Sequence, residues 1–192
     1  RDAKRLREEF QEALAVQDGP TVVRFPKGSI GADINAVERL GSGVDVLRRP
    51  VEKAESEPAA DFDGPLDVLI VAVGAFAENA LHVAEEIESE DIRVTVVDPR
   101  WVIPIAVDII SLAAQVDLVV VYEDGVIRGG VGAAVAEALS AAEVDTPVRM
   151  LAFPDVFPLH GTRGEILAQY GLDAVSAAQQ IGEWVGGLAD NG

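Results

Sequence analysis

Three short runs of apolar residues constrain this chain more than any other feature. Val68–Val73 and Leu118–Tyr122 are apolar throughout, and Ile92–Val97 is broken only by Arg93 and Thr95. Runs of five or six largely β-branched residues suit strands buried on both faces. Each is followed by a turn and then by apolar residues at helical spacing. Behind Val68–Val73 a helix is expected over Phe76–Ser89, with Ala77, Leu81, Ala84 and Ile87 on one side. Behind Ile92–Val97 a helix is expected over Asp108–Gln115. Behind Leu118–Tyr122 comes Gly129–Gly132, opening a helix whose face is Val131, Ala134, Val135, Ala138 and Leu139. Pro147–Ala152 reads as a last strand. Thr162 and Glu165 have the spacing of a capping box for a helix over Arg163–Tyr170. A final helix from Ala174 to Leu188 would bury Val175, Ala178, Ile181, Trp184, Val185 and Leu188. Such alternation from Asp67 onward predicts an α/β fold: a mostly parallel sheet with helices on both faces.

The first third of the chain is organised differently. Arg1–Val16 has helical spacing with Leu6, Phe10, Ala13 and Leu14 as its stripe, and Asp18-Gly19-Pro20 ends it. Thr21–Phe25 reads as a short strand. Pro26-Lys27-Gly28 stops it, which puts a cation at a strand's carboxyl end, where α/β sheets bind ligands. A solvated turn lysine is the other reading. Ser29–Val44 looks like loop, with a strand allowed over 44–49. Pro50–Pro65 is rich in Glu, Ala and Asp and lacks apolar periodicity, the pattern of a linker or long exposed loop. Residues 1–30 therefore look like the helix-strand remnant of another α/β domain, 31–65 like a linker, and 66–192 like a separate domain. The opening also reads as if cut from something longer.

Composition excludes several function classes. Residues 1–53 hold ten Lys or Arg against nine Asp or Glu, and the rest of the chain holds five against twenty-four. So acidic a body is a poor partner for nucleic acid. With no cysteine, disulfides and thiolate metal sites are excluded. No apolar run nears the roughly 20 residues of a membrane span. A cytoplasmic protein without a membrane partner is expected.

Gly129–Gly132 allows a phosphate cradle, tight packing or a subunit contact, and the acidic pair Glu123-Asp124 in an intervening turn argues against phosphate. That pair reads either as acid and base or as a turn whose carboxylate accepts backbone N–H bonds. His82 reads as a surface residue, and His160 as a loop residue with catalysis as its other reading. Asp98 and Arg100 suggest an ion pair or loop brace. Trp101 and Phe153 suggest core or interface anchors. No complete active site is visible: no catalytic, cofactor-binding or metal-binding residue is assigned.

Four stretches, in this order and spacing, carry a resemblance. TVVRFPKG (Thr21–Gly28), VTVVDPRWVIPI (Val94–Ile105), YEDGVIRGGVG (Tyr122–Gly132) and FPDVFPLHG (Phe153–Gly161) together resemble the carboxyl-terminal part of the 1-deoxy-D-xylulose-5-phosphate synthases, relatives of transketolase. The resemblance implies that residues 1–30 end a pyrimidine-binding domain and that 66–192 form a transketolase carboxyl-terminal domain. It implies an intact transferase that condenses pyruvate, with decarboxylation, and glyceraldehyde 3-phosphate, feeding isoprenoid, thiamine and pyridoxal synthesis. Thiamine diphosphate and Mg2+ would be held by residues outside this chain, which alone would be inactive. Lys27 stands where the family commonly has a phosphate-holding arginine, and Arg24 matches the motif's first cation in a supporting role. The remainder of the same polypeptide and a second copy, as a homodimer, are the implied partners. The alternatives are a β subunit of a thiamine-dependent 2-oxo acid dehydrogenase, a transketolase, or a non-catalytic dimerisation or ligand-binding domain.

Overall fold

The computed structural model describes residues 1–26, 28–29, 31–51, 65–89 and 91–189. Strands β1 (Glu38–Arg39), β2 (Asp45–Arg48), β3 (Leu66–Ala72), β4 (Ile92–Asp98), β5 (Leu118–Val126) and β6 (Val148–Phe153) form one sheet in the order β1-β2-β4-β3-β5-β6. The pairs β3–β4, β3–β5 and β5–β6 are parallel, as the strand-helix alternation predicts. The β1–β2 and β2–β4 pairs are antiparallel and extend one edge.

Alternation along the central strands divides the core in two. Val68, Ile70, Ala72, Leu118, Val120 and Tyr122 point to one side. There they meet helices α2 (Ala77–Ile87) and α6 (Ala174–Ala189), with α5 (Arg163–Gln169) supplying Leu167. Leu69, Val71, Val119 and Val121 point to the other side, against α3 (Val107–Ala113) and α4 (Val131–Ala141). Every one of these strand residues is at most 1% exposed, so an apolar residue was needed at every position rather than every second one. Phe76 lies 4.3 Å from Tyr122, centroid to centroid. The Tyr122 hydroxyl donates to the Leu172 carbonyl and accepts from Asn79 (3.3 Å), tying β5 to α2 and to the α5–α6 turn. Burial pushes that phenol up to about 12.

Several local expectations are met. Thr162 and Glu165 form a capping box at α5. The strand allowed over 44–49 is β2. Others are corrected. Glu123–Gly125 is not a turn: β5 continues to Val126, and its register against β6 shifts between Tyr122 and Val126. Thr21–Phe25 is not a strand. It runs outside any ladder, with Val22 82% and Phe25 69% exposed, because no sheet edge among the described residues lies beside it. Ser29–Val44 is not all loop, since Glu38 and Arg39 pair with Val46 and Asp45. On α2 the buried centre is Ala77, Ala80, Val83 and Ala84, with Leu81 and Ile87 at its margin. On α6, Val175 is exposed and Ala177 takes its place in the core. Of the Pro50–Pro65 stretch, residues 52–64 lie outside the described residues.

Helix α1 (Ala3–Ala15) is capped by Asp2, whose carboxylate accepts the Arg5 N–H at 2.8 Å. Its orientation inverts the usual one. Phe10 and Leu14 remain 52% and 66% exposed, although they belong to its apolar stripe. With Leu6, Val23 and Phe25 they line an open apolar recess of about 560 Å³. The charged side of the helix faces the body instead.

Candidate functional site

Lys27 lies outside the described residues. Arg24 is exposed and makes no hydrogen bond or ion pair among the described residues. The adjacent Pro26 helps line a recess of about 380 Å³ with Asp124, Phe153, Arg163 and Ile166. These residues come from the carboxyl ends of β5 and β6 and from the first turns of α5. The recess thus sits at the sheet edge where parallel α/β folds place ligands. Arg163 donates to Asp124 at 2.7 Å, and its guanidinium lies 5.5 Å from the Phe76 ring centroid. His82 and His160 are both exposed, and neither makes a hydrogen bond among the described residues. Among the described residues neither forms an ion pair with a carboxylate, so no acid–base pair is built there.

The glycine turn answers its own question. Glu123 is 3% exposed, turned inward by the irregularity in β5. Its carboxylate accepts the N–H of Val131 at 2.9 Å and of Gly132 at 2.8 Å, the free donors at the start of α4. The helix end that would attract a phosphate already holds an anion belonging to the chain itself. The glycines fit around that arrangement. Gly129 has φ +71, which favours glycine, and a Cβ on Gly130 would collide with the Val126 carbonyl oxygen and the Glu123 carboxylate. One on Gly132 would lie 2.7 Å from Met150 Cγ. This is close packing of helix, strand end and carboxylate. Of the readings left open for Glu123, acceptance of backbone N–H bonds is the one observed. Asp124 points away to Arg163, so the two acids do not converge.

The residues after β4 do something the sequence did not disclose. The Asp98 carboxylate accepts the Arg100 backbone N–H at 2.9 Å, a loop brace, while the two side chains turn to α1 rather than to each other. Arg1 reaches Asp98 at 2.6 Å and Asp45 at 2.8 Å with its side chain wholly buried. Arg39 holds Asp45 bidentately, at 2.6 and 3.0 Å. Arg100, with φ +58, pairs with Glu12, whose other oxygen accepts the Trp101 indole N–H at 2.8 Å. Trp101 thereby ties the loop after β4 to α1. Burial alone would raise Asp45, but the bonds from Arg39 and Arg1 outweigh it and hold the carboxyl below its ordinary range. Glu12 is held low in the same way, burial being outweighed by Trp101 and Arg100. Glu9 goes the other way: burial and the Asp98 charge push it up to about 7. Only long-range pairing carries this cluster, so spacing along the sequence gave no signal for it.

Among the described residues no group of three His, Cys, Asp or Glu could hold a metal ion. The α4 helix end is filled by Glu123. The described residues do not fit thiamine diphosphate or Mg2+. No helix among them is long and apolar enough to cross a membrane.

Comparison with known proteins places this geometry. Residues 63–176 match the family model "Transketolase, C-terminal domain". The chain is 48% identical over 190 residues to 1-deoxy-D-xylulose-5-phosphate synthase of Rhodococcus jostii (strain RHA1), covering 99% of this chain and 27% of that protein. It is 50% identical over 188 residues to the enzyme of the same name from Mycolicibacterium gilvum (strain PYR-GCK), covering 98% and 28%. The chain thus spans little more than a quarter of the length of these relatives. A solved split-gene transketolase, described as an inactive β4 tetramer, superposes with a TM-score of 0.59 at 31% identity, over 78% of this chain and 45% of that one. With the match over more than half its length and the same α/β architecture, the chain belongs to the transketolase carboxyl-terminal domain family.

Proposed function

We propose that this chain is the carboxyl-terminal portion of a 1-deoxy-D-xylulose-5-phosphate synthase. The observation that supports it is identity of 48% and 50% to enzymes of that name along nearly the whole chain. The intact transferase condenses pyruvate, with loss of carbon dioxide, and glyceraldehyde 3-phosphate. Thiamine diphosphate supplies the electron sink and, with Mg2+, is bound by residues outside this chain. Within it, Lys27 contacts the acceptor's phosphate and Arg24 supports it. Lysine brings the charge without the bidentate fork of arginine. Residues 1–30 end the pyrimidine-binding domain and 66–192 form the carboxyl-terminal domain, while the connecting stretch 31–65 adds β1 and β2 to the edge of that domain's sheet. Two observations favour this division. The apolar stripe of α1 stands open, and Thr21–Phe25 is extended without a ladder partner. Both suit a segment that completes another sheet. The protein works in the cytoplasm as a homodimer.

The test is an assay of a longer polypeptide carrying this sequence, with pyruvate, glyceraldehyde 3-phosphate, thiamine diphosphate and Mg2+. Formation of 1-deoxy-D-xylulose 5-phosphate supports the reading. Ketol transfer from xylulose 5-phosphate without pyruvate turnover, or acyl transfer to a lipoyl group, would replace it. The 192-residue chain alone is expected to be inactive and to give no calorimetric heat with thiamine diphosphate.

A second reading has one observation behind it. The solved neighbour is a split-gene transketolase, so this sequence also suits one chain of an enzyme whose remaining domain is a separate polypeptide. Activity restored by mixing two chains would favour that arrangement.

A further inference from the structure

The charged joint between α1 and the sheet holds more acid than base. Its carboxylates are Asp2, Glu8, Glu9, Glu12, Asp45 and Asp98, and its cations are Arg1, Arg5, Arg39 and Arg100. Five of the six carboxylates accept hydrogen bonds. Asp2 takes the N–H groups of Arg5 and Ile34, Glu8 takes Arg5 and Arg39, and Glu12 takes Arg100 and Trp101. Asp45 takes Arg39 and Arg1, and Asp98 takes Arg1 and the Arg100 backbone. Glu9 accepts none among the described residues. Its one ionic contact is Arg100 Nε at 3.8 Å, and its side chain is only 19% exposed. Arg100 Nε in turn is buried without a hydrogen-bond partner.

We propose that Glu9 is a proton-operated latch: protonated, it lets the charged face of α1 seat against the end of β4, and ionised, it loosens that seat. The groups facing it fix the sign. Asp98 opposes its ionisation from β4. Arg100 from the following loop and the Arg1 side chain favour it. Glu8 and Glu12 flank it on its own helix, Arg5 pairs with Glu8, and Asp45 and Arg39 lie behind on β2 and β1. The surplus of acid and the loss of water prevail, and Glu9 is pushed up to about 7. A carboxyl raised on docking binds its proton in the docked form, so docking is favoured below the ordinary carboxylate range and weakens as pH rises through about 7. This inference does not depend on the reaction proposed above.

Trp101 reports on the latch directly, because its indole N–H is bonded to Glu12 of α1. In the 192-residue chain carrying Trp184→Phe, Trp101 is the sole tryptophan. Its emission is expected to shift reversibly between pH 5.5 and 8.5 with a midpoint near 7. Glu9→Gln, isosteric with the protonated acid, should hold the low-pH spectrum throughout. Asp98→Asn should move the midpoint toward acid. A flat trace in the parent, an unchanged transition in Glu9→Gln, or a transition abolished by replacing His82 and His160 would overturn the proposal. Carbon-13 NMR of the Glu9 carboxyl in the parent needs no variant to fold, and titration there in the ordinary carboxylate range would overturn it as well.

Discussion

The carboxylate of Glu123 accepts the backbone N–H of Gly132 at 2.8 Å, across nine positions of sequence. Its second oxygen takes Val131 at 2.9 Å. One side chain thereby neutralises the helix end and fills the space that Gly125, Gly130 and Gly132 leave open. Glu123→Ala would strand these two N–H groups in a buried setting, at a cost of about 1–3 kcal/mol. For a chain of this length that is a fall in Tm of several degrees, on the order of 2–4 °C per kcal/mol, measurable by calorimetry. Glu123→Gln, keeping one acceptor oxygen, should lose less.

The glycines around it should not be equally sensitive. An added Cβ at Gly130 meets the backbone oxygen of Val126, which has nowhere to go, whereas at Gly132 it meets the Met150 side chain at 2.7 Å. Methionine can change rotamer. Gly130→Ala should therefore lower the urea midpoint more than Gly132→Ala. Equal losses would mean that Met150 is as fixed as a backbone.

Removing Arg100 should free α1 without melting the sheet. Arg100 is 4% exposed along its side chain and serves Glu12, Glu8 and Glu9 at once. Its loss leaves Glu8 and Glu12 without that cation, and because both are partly open to water the cost falls below that of a fully buried pair. Arg100→Met should therefore make α1 the first site of proteolytic cleavage while the near-ultraviolet signal of the sheet core persists.

The acid limb of stability should come from a different set of groups. Asp2, Asp45 and Glu12 are each held below their ordinary values despite burial. A depressed carboxyl contributes stability that is present above its unfolded pKa, 3.8 for Asp and 4.5 for Glu, and lost as pH falls through the folded value. Unfolding monitored by circular dichroism should set in below about pH 4 and should begin at higher pH in Arg39→Met, which strips Asp45 of its bidentate partner.

Lys27 is the residue on which the proposed chemistry turns. In a longer, active polypeptide, Lys27→Ala should raise KM for glyceraldehyde 3-phosphate and leave that for pyruvate near normal. Lys27→Arg should retain acceptor binding, since the fork suits phosphate at least as well as the ammonium. Unchanged acceptor kinetics in Lys27→Ala would take this residue out of the site.

The sequence disclosed what local rules control. Val68–Val73 and Leu118–Tyr122 were readable because burial on both faces leaves no polar position. Thr162 and Glu165 were readable because a capping box needs only four residues. Where a partner distant in sequence decides, reading failed. Thr21–Phe25 has strand composition but no ladder beside it, and Glu38–Arg39 has none of that composition yet pairs with β2. The inward turn of Glu123 depends on a register shift against β6 that no spacing announces. Val175 has the period of the buried face of α6 and stands 78% exposed, while Ala174 and Ala177 of the same turn pack on the core. For the candidate site, the cations at 24 and 27 were visible as a motif. The grouping of Arg1, Asp45, Asp98 and Arg100 was not, since its members are up to a hundred residues apart.

Helix α1 turns charge toward the sheet and leaves Phe10 and Leu14 bare. Each flank of one rod therefore answers to a different property of the medium. The inner flank responds to protons, through Glu9. The outer flank responds to whatever changes the cost of wetting hydrocarbon, such as temperature or cosolvent. In mechanical terms the rod is a clutch plate, and the Thr21–Phe25 segment follows it along the chain.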